Sequence, residues 1–185
     1  KMNFYKLIKS DYKRYIATGA KNKLKIFLNQ GFIFTSLFRF NTFLYRKSRR
    51  IPFFNFLISI YCFLCLKISQ IFTGLSLPIG LEIGMGLFIS HSGSIIINSQ
   101  CKLGNNINLA PGVVIGFGIK NRTPGYPSIG NNVFIGPGAK IFGPIKIGNN
   151  VMIGANSVVL SDVSDNSVVA GVPAKIISKK GSAEY

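Results

Sequence analysis

The sequence predicts a mainly β fold: a parallel β-helix of triangular cross-section, built from hexapeptide repeats and carrying an N-terminal α-helical region. Three observations predict it. Branched aliphatic residues recur at six-residue spacing at Ile129, Ile135, Ile141, Ile147, Ile153 and Val159. Gly follows four of them, at Gly130, Gly136, Gly148 and Gly154, and a small or aliphatic residue recurs four places on, at Val133, Ala139, Ile145, Val151 and Ser157. Residues 1–75 hold 14 of the 22 Lys and Arg and 12 of the 16 Phe, which separates them from a repeat region nearly neutral in charge density.

An amphipathic helix repeats at 3.6 residues and a half-buried strand at 2, so a period of six with Gly after the apolar residue fits neither. It fits a coil in which each hexad is one short strand plus a corner, and three hexads close one turn. The aliphatic residue fills the interior, while Gly or Asn takes the corner angles that a β-branched residue resists. Residues eighteen apart then stack, Ile129 with Ile147 and Ile135 with Ile153, at the ~4.8 Å separation of neighbouring strands. Upstream, Leu103-Gly104, Leu109-Ala110 and Ile115-Gly116 keep the beat, with Ile107 and Val113 as companions. Leu77, Ile83, Ile89 and Ile95 form an earlier run in a shifted frame, with the slip placed between Ile95 and Leu103. Residues 76–178 are assigned to this domain, with room for about five coils, each needing its neighbours to bury its interior. Ile115 and Ile129 are fourteen residues apart where twelve would keep the beat, so residues 117–128 bulge.

Residues 1–75 read as helices over 3–18, 21–47 with a break at Gly31, and 52–72. The formal charge of +17 points to an anionic neighbour. Nucleic acid is disfavoured, because the Phe residues cluster in apolar runs and no recognition motif is present. Two compatible expectations remain. The helices cap the open end of the prism and bury their Phe there, or they meet a membrane surface. Residues 51–66 are uncharged and apolar and follow Arg46-Lys47-Ser48-Arg49-Arg50. A spanning helix needs about 20 such residues, so lying in the interface is favoured over crossing. The apolar stretch is internal and lacks a cleavage site after it, so a cytoplasmic location is expected, with peripheral contact at the inner face of the cytoplasmic membrane. Residues 179–185 form a tail.

Cys62 and Cys65 make a CxxC inside the apolar run, without plausible partner ligands, so no metal is expected and both read as buried thiols. Cys101 reads as a core residue. Free thiols suit a reducing compartment. His91 is the only histidine, hence the only side chain with an unperturbed pKa near neutrality.

Gly86-Leu87-Phe88-Ile89-Ser90-His91, Ile135-Gly136-Pro137-Gly138-Ala139-Lys140-Ile141, Ile153-Gly154-Ala155-Asn156-Ser157-Val158-Val159 and the closing Ala170-Gly171-Val172-Pro173-Ala174-Lys175 resemble the hexapeptide-repeat acyltransferases of the serine acetyltransferase type. The resemblance covers residues 75–178. It implies a left-handed coil, against the usual right-handed crossover, and a homotrimer holding acetyl-CoA as co-substrate between neighbouring prisms. Carried over residue by residue, His91 is the general base, Gly116, Gly136, Pro137, Gly154 and Ala155 line the coenzyme arm, and Lys175, with Lys179 and Lys180, meets the coenzyme phosphates. An oxyanion donor is expected near Gly116. The bulge walls the site, which makes Lys120, Arg122 and Tyr126 candidates for acceptor or coenzyme contact.

The chain departs from the family's pattern where the acceptor binds. Ser76, Ser90 and Tyr126 stand where serine acetyltransferases carry Asp, Asp and His, and these three are the candidate acceptor contacts. An ammonium seeks an acid partner. Glu82 lies half a coil from His91 and so on another side of the prism. The long helical domain of that family is replaced by the basic, Phe-rich segment. The expectation is therefore acetyl transfer to a sugar hydroxyl of a surface polysaccharide such as capsule, exopolysaccharide or O-antigen. L-serine, in cysteine biosynthesis, is the second choice, and a non-catalytic trimeric scaffold is the third.

Overall fold

The computed structural model describes residues 3–19, 23–49 and 52–182. The first residues of the helix expected over 21–47, Arg50 and Ile51 of the basic and apolar run, and residues 183–185 of the tail lie outside these. The repeats form three parallel faces. Face 1 stacks Leu75–Ser76, Ile95–Ile97, Val114–Gly116, Lys140–Phe142 and Val158–Val159; face 2 stacks Glu82–Ile83, Lys102–Leu103, Ser128–Ile129 and Lys146–Ile147. Face 3 stacks Phe88–Ile89, Asn108–Leu109, Phe134–Ile135, Met152–Ile153 and Val168–Gly171, and is closed by the antiparallel strand Ala174–Ser178. Ile129 pairs with Ile147 and Ile135 with Ile153, the eighteen-residue stacking that the six-residue beat requires. The inward aliphatic residues form one buried column, with Ile89, Ile135, Ile141 and Ile153 fully enclosed.

The corners carry a second ladder. Asn131 donates its backbone N–H and its side-chain amide to Asn149 Oδ1 at 2.8 and 3.0 Å, and Asn105 donates likewise to Asn131. Beside it, Asn106, Asn132, Asn150 and Asn166 each sit near φ +55°, an angle Asn tolerates better than other side-chain-bearing residues. Each of the first three passes its amide hydrogen to the next. A carboxamide both donates and accepts, so stacked corners satisfy one another.

Two features of the beat differ from the sequence reading. Ile115 belongs to face 1 and Ile129 to the next face, so their fourteen residues turn one corner rather than two. The insertion is thus eight residues rather than two, and it folds as a hairpin of Gly118–Lys120 against Thr123–Gly125. Ile97, not Ile95, pairs with Ile115, while Ile95 pairs with Leu75. The frame slip therefore falls between Ile89 and Ile97, in the corner that holds His91, rather than between Ile95 and Leu103.

Three α-helices, α1 (Phe4–Ala17), α2 (Gln30–Ser48) and α3 (Pro52–Thr73), with a 3-10 turn at Lys23–Leu28, cover the first coil. The expected break at Gly31 falls instead at Asn29, whose side chain accepts the Phe32 N–H and caps α2. Gly31 lies within α2, where a Cβ would collide with the Ile89 carbonyl and the Tyr15 hydroxyl. Tyr15 Oη donates to Ile89 O at 3.0 Å and accepts the Ile89 N–H at 3.1 Å, which ties α1 to face 3. Phe34 and Phe38 join Leu75, Leu77, Leu81 and Leu87 in the column and close its end.

A buried ion pair fixes this cap. Arg39 donates through Nε and Nη2 to Asp11 at 3.0 and 3.3 Å, and to the carbonyls of Ile83 and Gly84 at 2.9 and 2.6 Å. Asp11 also accepts the Leu87 N–H at 2.8 Å. Burial pushes the Asp11 carboxyl above its ordinary pKa, against the opposing pull of Arg39.

Candidate active site

The corner between faces 3 and 1 recurs at residues 90–94, 110–112, 136–138 and 154–156, and these corners stack, with Ala170 of the last face 3 strand beyond them. The Gly112 N–H donates to Gly93 O at 3.4 Å, Gly138 N–H to Pro111 O at 2.8 Å and Asn156 N–H to Pro137 O at 2.7 Å. His91, Gly136, Pro137, Gly154 and Ala155 therefore share one edge of the prism. Lys175 stands opposite Ala170 in the closing hairpin, at the far end of that edge, and is exposed.

The main chain on either side of His91 is pinned. Ser90 N–H donates to Leu109 O at 3.2 Å, Gly93 N–H donates to Thr73 O at 2.9 Å, and the Ser92 hydroxyl donates to Gln30 Oε1. The His91 ring is exposed, and no described residue of the chain hydrogen-bonds it. Gly74 closely approaches Ser94 at that edge, and Ser76, two residues on, pairs with Ile96 on face 1, in the same column as Val114 and Lys140.

Gly116 and Tyr126 lie elsewhere. Gly116 ends a face 1 strand at the corner towards face 2, where Gly143 N–H donates to its carbonyl at 3.3 Å. The Tyr126 ring meets Phe117 edge-on at 5.6 Å, and its hydroxyl accepts from Gln100 Nε2 at 3.3 Å. From Gly112 to Gly116 is four residues of strand, roughly 13 Å at about 3.3 Å per residue. In one chain, His91 and Gly116 thus occupy opposite edges of face 1.

The hairpin candidates divide. Lys120 Nζ pairs with Asp162 at 2.9 Å, which ties the hairpin to the prism. The Lys146 backbone N–H, and then Lys120, hold the Asp162 carboxyl below its ordinary pKa. Arg122 is exposed at the hairpin turn. Of the tail cations, Lys179 donates to Ser164 Oγ at 2.8 Å. Glu82 lies on face 2, in register with Lys102, away from His91. The Cys101 thiol is buried, which raises its pKa to about 11, and it lies 3.7 Å from Ile115 O; it packs the core rather than serving as a nucleophile. Cys62 and Cys65 contact Asn41 of α2.

Steric surroundings separate two kinds of glycine. A Cβ at Gly136 would lie 2.8 Å from Ala155 N and Ile153 O, and one at Gly154 3.0 Å from Ala170 Cβ. Stacking of the coil alone demands glycine at 136 and leaves little room for more at 154. A Cβ at Gly116 would meet nothing closer than the Phe142 ring at 3.7 Å, so the fold does not require glycine there. Sequence reasoning also passed over Lys140, exposed on face 1 between the two edges with Nζ 3.2 Å from Gly138 O. Its signal was its place in the Gly138-Ala139-Lys140 motif.

Residues 126–161 match the family described as bacterial transferase hexapeptide (six repeats). The chain is 44% identical to a serine acetyltransferase of Staphylococcus aureus over 115 residues, covering 62% of this chain and 54% of that protein. It thus spans about half the length of the curated relatives it matches. Among solved structures, it resembles the Neisseria gonorrhoeae serine acetyltransferase in complex with serine at TM-score 0.78 and 31% identity, covering 95% of this chain and 69% of that one. It also resembles the Brucella abortus serine acetyltransferase in complex with coenzyme A at TM-score 0.80 and 26% identity, covering 95% and 68%. These neighbours make the coil a left-handed parallel β-helix.

The same relatives overturn the expected saccharide acceptor. They are serine acetyltransferases, so the second choice, L-serine, is better supported than a surface polysaccharide. Ser76 and Ser90 still offer hydroxyl oxygens that can accept from an ammonium, so the loss of two carboxylates does not exclude a free amino acid. By the length and identity of the match, the chain belongs to the hexapeptide-repeat acyltransferases of the serine acetyltransferase type.

Proposed function

We propose that this chain transfers the acetyl group of acetyl-CoA to the hydroxyl of L-serine, in a homotrimer whose sites lie between neighbouring prisms. The observation that carries this reading is the single edge on which His91 heads the stacked corners, in a chain 95% of whose length matches a serine-bound and a coenzyme A-bound serine acetyltransferase.

His91 accepts the proton of the serine hydroxyl as that oxygen attacks the thioester carbonyl. The resulting tetrahedral oxyanion needs a donor about 3 Å away, and the Gly116 backbone N–H is the candidate. The C–S bond then breaks, the sulfur leaves with the electron pair, and the imidazolium returns its proton to that sulfur. O-acetylserine and coenzyme A result. Base and oxyanion donor must reach the same acetyl group, yet within one chain they lie on opposite edges of face 1. The His91 edge of one copy facing the Gly116 edge of the next resolves this, and C3 closure gives three equivalent sites. The coenzyme arm runs along Gly136, Pro137, Gly154 and Ala155, towards Lys175 at its phosphate end. Ser76, Ser90 and the neighbour's Tyr126 contact the acceptor with neutral oxygens.

Free-thiol release from acetyl-CoA with L-serine, with the product identified by mass, tests the reading. Turnover is expected, and His91→Gln should lower kcat about 10²- to 10⁴-fold with an unchanged melting temperature. No release with serine would sink the acceptor assignment. Unchanged turnover in His91→Gln would sink the assigned base.

A further inference from the structure

The polarity of α3 is inverted relative to a water-facing helix. Phe53, Phe56, Ile60, Phe63, Leu64 and Phe72 are 44–84% exposed, and at about 100° per residue they fall within one half of the helix circumference. The other half carries its small and polar residues towards α2. Asn55 Oδ1 accepts from the Ser48 hydroxyl at 3.0 Å, Cys62 Sγ lies 3.6 Å from Asn41 O, and Ser59 and Thr73 hydroxyls return to their own helix. A solvated surface helix does the reverse. A continuous apolar face of this extent marks an interaction surface.

The charges around it are of one sign. Arg46, Lys47 and Arg49 are exposed where α2 turns into α3, and Lys67 is exposed on α3 itself. Lys47 Nζ lies 6.0 Å from the Phe43 ring centre, and Lys67 Nζ lies 5.8 Å from that of Phe63, on the apolar half of α3 itself, where its long stem can carry the charge to a head group. The only acid before Glu82 is Asp11, which is buried beneath Arg39. A second copy of this face would bring cation against cation, whereas an anionic lipid surface neutralises both copies' charge. Arg46 and Lys47 also border a cavity of about 380 Å³ walled by Phe4, Leu7, Phe38 and Phe43, which sets apolar space next to the cations.

We propose that the outward half of α3, with Arg46, Lys47, Arg49 and Lys67, docks on an anionic lipid bilayer. The helix lies in the plane of the head groups rather than crossing. Its uncharged run, residues 52–66, spans about 22 Å at 1.5 Å per residue, short of a hydrocarbon core of about 30 Å, and half its circumference is held by α2. The orientation would bring the catalytic prism to the inner, anionic face of a cytoplasmic membrane. This inference stands apart from the choice of acceptor.

Flotation of the whole chain with vesicles of phosphatidylcholine alone, and of phosphatidylcholine mixed with phosphatidylglycerol, tests it. Binding to the mixed vesicles is expected, weaker at high salt, and weaker by roughly tenfold or more in Arg46→Glu/Lys47→Glu. Phe56→Ser/Leu64→Ser should lose binding while acetyl-CoA turnover and solution mass by light scattering stay unchanged. Absence of wild-type binding to the mixed vesicles would overturn the proposal. So would a fall in solution mass of the Phe56→Ser/Leu64→Ser variant with vesicle binding intact, which would assign the face to a second copy.

Discussion

Asp11 and Arg39 join α1, α2 and the first coil through one buried ion pair, and each partner is expensive to leave alone. Asp11→Ala strands a guanidinium in an apolar site, so a loss of about 3–5 kcal/mol in denaturant unfolding is expected. The pH dependence has a definite sign. Burial raises the Asp11 pKa above its ordinary 3.8, so the protonated form contributes stability that is complete below 3.8 and lost as pH rises through the raised value. Asp11→Asn should remove that downward slope; a slope unchanged in the variant would show that another group sets it. Nothing in the sequence announced the pair, because 28 residues separate its members and no motif links them. His91 stood out in the sequence as the one histidine, and its role as base came from the resemblance of residues 86–91 to the family's motif. That no described residue hydrogen-bonds its ring was not legible, since the side chains around it were known only by their distance along the chain.

At the level of the elements, the six-residue beat located nearly every strand, because one inward residue per hexad is what a triangular coil needs. It did not locate the corners' extra residues. Fourteen residues can be read as two hexads plus two or as one hexad plus eight, and only the pairing of Ile129 with Leu103 decides for the second. Both irregular corners, at residues 90–94 and 117–126, hold candidate site residues, whereas the regular corners contribute only small residues along the coenzyme arm. The two kinds of glycine make a test at this scale. Gly136→Ala forces atoms from 2.8 Å contacts and should cost about 1–3 kcal/mol. Gly116→Ala should melt like the wild type and raise the KM for acetyl-CoA. Thermal unfolding and initial rates on the two variants check this, and equal melting losses would remove the reason for assigning Gly116 to the ligand.

For the molecule as a whole, the coil, its helical cap and the charged, apolar α3 were each foreshadowed by composition. The left-handed winding was not, because a repeat length is the same in either hand. Hydroxyls in place of carboxylates at Ser76 and Ser90 do not exclude an ammonium, because neutral oxygens also accept hydrogen bonds from one, so these positions do not argue against serine. The proposed function turns on the separation of His91 from Gly116 across face 1, for which a site shared between copies is the proposed solution.

Co-expression of His91→Gln chains with Gly116→Trp chains, followed by purification of the mixed assemblies, tests this most directly. Each parent is expected to be inactive. Each mixed trimer, in either 2:1 composition, has one of its three junctions joining an intact His91 edge to an intact Gly116 edge, so about a third of wild-type turnover should return. Turnover no higher than that of the parents, in assemblies verified to be mixed, would contradict a site built between copies.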